Sequence, residues 1–152
     1  MFQAGYFLDK KYYDENTIDF KHLLLSEKNQ SLLKDIQNSN SVGVHIRRGD
    51  YMTKQNLVIF GNICTQKYYH DAIRIITEKV NDAVFYVFSD DISWVQTHLD
   101  IPNAVYVNWN TGESSIYDMY LMSSCKYNII ANSTFSYWAV SYTHLTLPTK
   151  LE

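Results

Sequence analysis

Glycine and proline are scarce in this 152-residue chain, at five and two. Collagen-like repeats and proline-rich linkers are thereby excluded. Gly43 and Gly49 stand singly, with neither a GxGxxG fingerprint nor a Walker sequence around them, so no glycine-rich phosphate loop is present. No apolar run approaches the roughly 20 residues that a membrane-spanning helix needs. A cationic excess is missing too. Thirteen Lys+Arg against sixteen Asp+Glu give a formal charge of −3, without the basic footprint of a general nucleic-acid binder. Any anion site must therefore be local. Cysteine is limited to Cys64 and Cys125, which form no CxxC and are expected as free thiols in a reducing compartment. Met1-Phe2-Gln3-Ala4 carries neither the basic nor the apolar region of a secretory signal. The sequons at Asn29-Gln30-Ser31 and Asn132-Ser133-Thr134 are accordingly expected to be idle.

What is there is globular. Hydrophobic residues make up 46% and charged residues 19%, enough for one domain with a real core. Thirteen Tyr, seven Phe and three Trp form a heavy aromatic load. Helical patterns alternate with short apolar runs. Ser26 is a plausible N-cap for a helix from Glu27 to about Gln37, with Leu32, Leu33 and Ile36 on one face. A β-rich run over Ser41 to Ile46 stops at Arg47-Arg48-Gly49-Asp50. Residues 51 to 64 read as an excursion loop. Thr65 can cap a second helix to about Val80, with Tyr69, Ala72, Ile73, Ile76 and Val80 on one stripe.

Ala83 to Phe88 is almost wholly apolar, as a strand buried on both faces should be. Ser89-Asp90-Asp91 is a turn able to cap a short helix holding Trp94, Val95 and Leu99. Val105 to Val107 reads as a strand, Ser114 or Ser115 to about Ser124 as a helix, and Tyr127 to Ala131 as the last strand. Asn132 to Ser136 then turns into a helix start at Tyr137-Trp138. This alternation predicts an α/β fold, a Rossmann-like parallel sheet with flanking helices. In such sheets ligands lie beyond the carboxyl ends of the strands. Residues 45–50, 89–91 and 132–136 all fall there, so the polar clusters are expected to converge on one sheet edge.

His45-Ile46-Arg47-Arg48-Gly49-Asp50 is the strongest local signal. Adjacent residues on a strand point to opposite faces. One arginine can therefore aim at a ligand while the other pairs with a carboxylate such as Asp50. Guanidinium suits phosphate because its planar fork makes two charge-assisted bonds. A surface arginine pair with a local salt bridge is the plainer reading. Arg48-Gly49-Asp50 also spells an adhesion tripeptide, which after a buried strand is read as accidental.

The run His-Ile-Arg-Arg-Gly-Asp after Val42-Gly43-Val44 resembles the first donor-binding motif of the α-1,2-fucosyltransferases, glycosyltransferase family 11. Val84 to Asp91 resembles the second motif. Asp118 to Lys126, followed by Ile129 to Trp138, resembles the third. Gly5-Tyr6-Phe7 and Lys11-Tyr12-Tyr13 fit the segment before the first motif. The resemblance covers about residues 5 to 139.

The resemblance implies transfer of L-fucose from GDP-fucose to the 2-hydroxyl of a galactose-containing glycan, with inversion. It implies Arg47 at the diphosphate, His45 near the nucleotide, and Asp90 or Asp91 at guanine. Ser133, Thr134 and Ser136 would offer hydroxyl or backbone donors to phosphate, at a helix start whose dipole favours anions. Asp50 stands either as a general base for the acceptor or as a partner that holds Arg48. No metal is expected. Asp90 and Asp91 are adjacent, so their side chains diverge, and a cap or base contact suits them better. Tyr12, Tyr13, Tyr68 and Tyr69 could stack on sugars, though Tyr68 and Tyr69 are read first as packing residues. Trp138, Met119, Met122 and Cys125 are read as packing, and Lys126 as a solvated charge.

Members of the family are about twice this length and open with a Gly-Leu-Gly-Asn-Gln type segment that does not occur here. The expectation is one half of a GT-B type glycosyltransferase. Residues 1–40 would be a lead-in, 41–139 the GDP-fucose-binding domain, and 140–152 a non-native or disordered tail without function. Alternatives are a non-catalytic nucleotide-sugar-binding module, or another GDP-sugar-dependent glycosyltransferase. The expected partners are GDP-fucose and a galactose-terminated acceptor, with no nucleic acid. The expected place is the cytoplasm, peripheral at the inner membrane.

Overall fold

The computed structural model describes residues 20–49, 64–131 and 150–151. Helix α1 spans Glu27–Gln37, and the Ser26 hydroxyl accepts from the Asn29 amide at 3.2 Å. Strand β1 follows at Asn40–Ile46. Helix α2, Gln66–Lys79, starts at Thr65, whose hydroxyl accepts from the Tyr68 amide. Both caps satisfy N–H groups that the first turn leaves without helical partners. Strand β2 is Ala83–Ser89 and α3 is Ile92–His98, capped by the Asp91 carboxylate on the Trp94 amide. Strand β3 is Ala104–Val107. A 3-10 turn, Gly112–Ser114, leads directly into α4, Ser115–Ser123. No side-chain bond caps that helix, so the tighter turn takes the place of the expected serine cap. Strand β4 is Tyr127–Ile129. Lys150–Leu151, in the segment expected as a tail, form a two-residue β5 against β4.

All strands pair in parallel, in the order β3-β2-β1-β4-β5. The chain runs outward from β1 through β2 to β3, then crosses to the other side of β1. The strand order therefore reverses between β1 and β4, and such a switch point is where doubly wound sheets open a crevice for ligands.

Each sheet face carries its own core, because strand side chains alternate. On one face Val42, Val44 and Ile46 of β1 meet Phe85 and Val87 of β2, Tyr69, Ile73 and Ile76 of α2, and Val95 of α3. On the other, Tyr86, Phe88 and Val107 meet Leu32 and Ile36 of α1 and Leu121 and Met122 of α4. Met122 and Cys125 are buried there, as the helical spacing predicts. Both cysteines are free thiols, and burial pushes the Cys125 thiol far up in pKa. Lys126 differs from expectation. It is half-buried, its amide donates to the Ser41 hydroxyl and its Nζ to Asn40 Oδ1, joining the start of β4 to β1.

Candidate functional site

The carboxyl edge of the sheet holds two polar corners. At the first, the β1–β2 ladder ends with Ile46 opposite Ser89. Beyond it the two arginines separate, and so do the two aspartates. Arg47 Nε lies 3.6 Å from Asp90 Oδ2, while Arg48 Nε lies 3.5 Å from Asp91 Oδ2. Adjacent arginines diverge for the same reason as adjacent aspartates, so each meets a different carboxylate. The carboxylate expected to hold Arg48 was Asp50, which lies outside the described residues. Asp91 is the carboxylate seen on Arg48 among the described residues.

Arg48 is the structural one of the pair. Its guanidinium stacks 3.8 Å over the Trp94 ring, a cation–π contact. Its buried Nε has the Asp91 ion pair but no hydrogen bond. Asp91 also caps α3 through the Trp94 amide, at 3.1 Å. Asp90 accepts from the backbone amides of Arg48 and Gly49, each at 2.8 Å. Asp91 thus fills the capping role expected of this turn, while Asp90 bonds the loop after β1. Among the described residues no group of three His, Cys, Asp or Glu could hold a metal ion.

His45 is 6% exposed within β1. Burial, then the Arg47 charge, lowers its pKa to about 3. The imidazole is therefore neutral at pH 7 and a weak base, unsuited to deprotonating a sugar hydroxyl. Tyr68 and Tyr69 are packing residues with polar ends. Tyr69 Oη donates to the His45 carbonyl at 3.0 Å and Tyr68 Oη to the Ile130 carbonyl at 2.8 Å. They brace the two strands that flank the switch point. Ser133, Thr134 and Ser136 lie outside the described residues, as do Tyr12, Tyr13 and Trp138. The last described residue before them, Ala131, leaves β4 on the edge where Arg47 leaves β1.

The second corner went unread in the sequence. Asn29, 2% exposed in the first turn of α1, accepts at Oδ1 from Trp109 Nε1 at 2.8 Å and Asn110 Nδ2 at 3.0 Å. Its own Nδ2 donates to Asn110 Oδ1 at 3.0 Å. Asn110 Nδ2 also donates to Asp118 Oδ1 at 2.8 Å. Burial raises the Asp118 pKa to about 7, against the opposing Asn110 bond. Lys28 Nζ sits 4.0 Å over the Trp109 ring. The buried Asn29 amide is no glycan acceptor, in keeping with an idle sequon. Asp118 carried one sequence signal, its place at the head of the third motif. Asn29 and Asn110 meet across 81 positions and carried none.

Between the corners lies an open cleft of about 390 Å3. Ser89, Asp90, Asp91, Gln96, Asn108 and Asn110 contribute its polar lining. Hydroxyls and amides of this kind can hydrogen-bond a neutral polar ligand, and Arg47 stands at the Asp90 side with a positive charge.

Comparison with known proteins agrees with the motifs. A family model described as glycosyl transferase family 11 matches residues 5–146. An Escherichia coli alpha-1,2-colitosyltransferase is 44% identical over 108 residues, 68% of this chain and 36% of that protein. The Escherichia coli O-antigen biosynthesis glycosyltransferase WbnK is 46% identical over 103 residues, 67% of this chain and 34% of that one. A galactoside alpha-(1,2)-fucosyltransferase 2 of Pongo pygmaeus is 28% identical over 125 residues, 78% of this chain and 36% of that one. The chain thus spans about a third of the length of the curated relatives it matches. In fold it is similar to the crystal structure of NodZ alpha-1,6-fucosyltransferase soaked with GDP-fucose. The TM-score is 0.51 at 18% identity, covering 81% of this chain and 44% of that one.

Proposed function

The chain belongs to glycosyltransferase family 11, and we propose that it forms the donor-binding half of an inverting α-1,2-glycosyltransferase that uses GDP-L-fucose or its 3-deoxy analogue, GDP-colitose. The observation that carries this reading is the placement of Arg47. It leaves β1 at the switch point and stands 3.6 Å from Asp90, which lines the polar cleft at the ends of β2 and β3.

The chemistry suits the residues. Sugar transfer from a nucleoside diphosphate passes through an oxocarbenium-like state while negative charge builds on the departing diphosphate. A guanidinium already oriented beside that oxygen stabilises the charge without reorganisation. Arg47 has this role, and the hydroxyls and amides of the cleft receive the nucleoside. Ser133, Thr134 and Ser136 supply further phosphate donors from the segment after β4. Asp50 is the carboxylate assigned to the acceptor hydroxyl, since the buried neutral His45 is too weak a base. Positive charge on the protein carries the leaving group, so no metal is assigned. The acceptor is a galactose-terminated glycan, and its contacts come largely from sequence beyond this chain.

The donor sugar has two candidates because identity is higher to the colitosyltransferase, at 44%, than to the fucosyltransferase, at 28%. Calorimetric titration of this chain with GDP and UDP tests the nucleotide. GDP is expected to bind and UDP is not, and equal affinity would overturn the guanine assignment. Transfer assays with GDP-fucose and GDP-colitose, in a full-length family protein carrying this segment, separate the donors. EDTA is expected to leave that transfer unchanged, and strict dependence on manganese would refute the metal-free mechanism.

A further inference from the structure

Both oxygens of Asp90 are engaged by the loop after β1. Oδ1 accepts from the Arg48 amide and Oδ2 from the Gly49 amide, both at 2.8 Å, and Oδ2 also faces Arg47 Nε at 3.6 Å. The position follows from register. The β1–β2 ladder ends at Ile46 and Ser89, so the next amides of the β1 side have no strand opposite them. Asp90, one residue beyond Ser89, replaces the missing backbone acceptors with its side chain. Two successive backbone N–H groups on one carboxylate form an anion nest, and such charge-assisted bonds are the stronger kind.

Gly49 is the matching half of this arrangement. A Cβ built on it would lie 2.5 Å from Asp90 Oδ2, inside any real contact. Its backbone φ is outside the left-handed region, so the missing side chain serves the approach of the carboxylate and not a special conformation.

We propose that Asp90 is a positioning residue: its carboxylate clamps the amides of Arg48 and Gly49 and so aims Arg47 at the donor's diphosphate. This deepens the functional reading above and rests on it. The clamp orders the loop before the donor arrives, which removes an entropic cost from binding.

The test uses Asp90→Ala, Asp90→Asn, Gly49→Ala and the double variant of Asp90→Ala with Gly49→Ala, each in the full chain. Calorimetry reads GDP and guanosine separately. Asp90→Ala is expected to weaken GDP by about tenfold or more and to leave guanosine affinity unchanged, with Asp90→Asn intermediate. Gly49→Ala is expected to weaken GDP likewise, because its methyl expels the carboxylate. In the double variant the glycine change should add nothing, since the group it displaces is gone. Equal losses for GDP and guanosine, or additive losses in the double variant, would overturn the clamp. Hydrogen exchange supplies a readout that needs no nucleotide. The Arg48 and Gly49 amides should exchange about tenfold or more faster in Asp90→Asn while β1 amides keep their protection. Unchanged exchange at those two amides would overturn the clamp, even in a chain that fails to bind GDP. Absence of GDP affinity in the unsubstituted chain would instead refute the functional reading.

Discussion

The two polar corners at the carboxyl edge use opposite materials. The 47–49 and 89–91 corner is built from ions that stay partly wet, with the Arg47 and Asp90 side chains 37% and 27% exposed. The Asn29, Trp109, Asn110 and Asp118 corner is built mainly from amides, and its centre, Asn29, is 2% exposed. An exposed ion pair contributes little to stability, because water screens it. A buried amide network is held together tightly, because every group left without a partner costs desolvation. The first corner can therefore exchange partners with a ligand at small expense, while the second orders the scaffold. On the proposed function, charge marks where the donor is handled, while neutral hydrogen bonding holds α1 and α4 beside it.

Three substitutions sharpen or break this contrast. The largest effect is expected for Arg47→Ala, which should reduce transfer in the full-length enzyme by about 100- to 1000-fold and remove measurable GDP binding by this chain. Its melting temperature should barely move, because the side chain is at the wet corner. A folded Arg47→Ala chain with unchanged GDP affinity would show that the charge is not at the phosphate. Asn29→Ala should do the reverse and act on stability. Trp109 Nε1 and the Asn110 amide lose their acceptor, at about 1–3 kcal/mol for each buried group left unsatisfied. Urea denaturation reads this, and a change below about 0.5 kcal/mol would mean that water replaces the amide.

The third effect is a pH dependence at Asp118. Burial raises its native pKa to about 7 from the usual 3.8, so the native state holds the proton longer than the unfolded chain does. Stability from this group is full below about pH 4, declines as pH rises toward 7, and levels off above it. Asp118→Asn removes that decline. Its melting temperature relative to the parent should therefore climb between pH 4 and pH 8, and a constant difference would show that Asp118 is already ionised in the fold.

Local chemistry made the elements legible in the sequence. Ser26 and Thr65 cap α1 and α2 where their spacing predicts, and the apolar run from Ala83 marks β2 because a strand covered on both faces needs no polar side. The site was legible only in part. The motif pointed to Arg47, but that Arg48 is the arginine stacked on Trp94 and paired with Asp91 could be read only from the structure. That assignment rests on contacts more than 40 positions apart, which no periodicity encodes. The amide corner was invisible for the same reason, since asparagines 81 apart leave no pattern that distinguishes a network from two surface polar residues. Asp50, Ser133, Thr134 and Ser136 lie outside the described residues, and their roles rest on the motifs.

Tyr68 and Tyr69 carry a consequence for how such a mouth can vary. The β1–β4 ladder covers only Val42–Val44 and Tyr127–Ile129. One residue farther along each strand, the carbonyls of His45 and Ile130 are gripped by phenols from a single turn of α2. On the β4 side of the mouth these phenols add side-chain bonds where the β1–β4 ladder has ended, while β1 stays paired with β2 as far as Ile46. Exchanging either phenol for phenylalanine removes one bond that ties α2 to the rim of the sheet and leaves the ladders of the sheet in place.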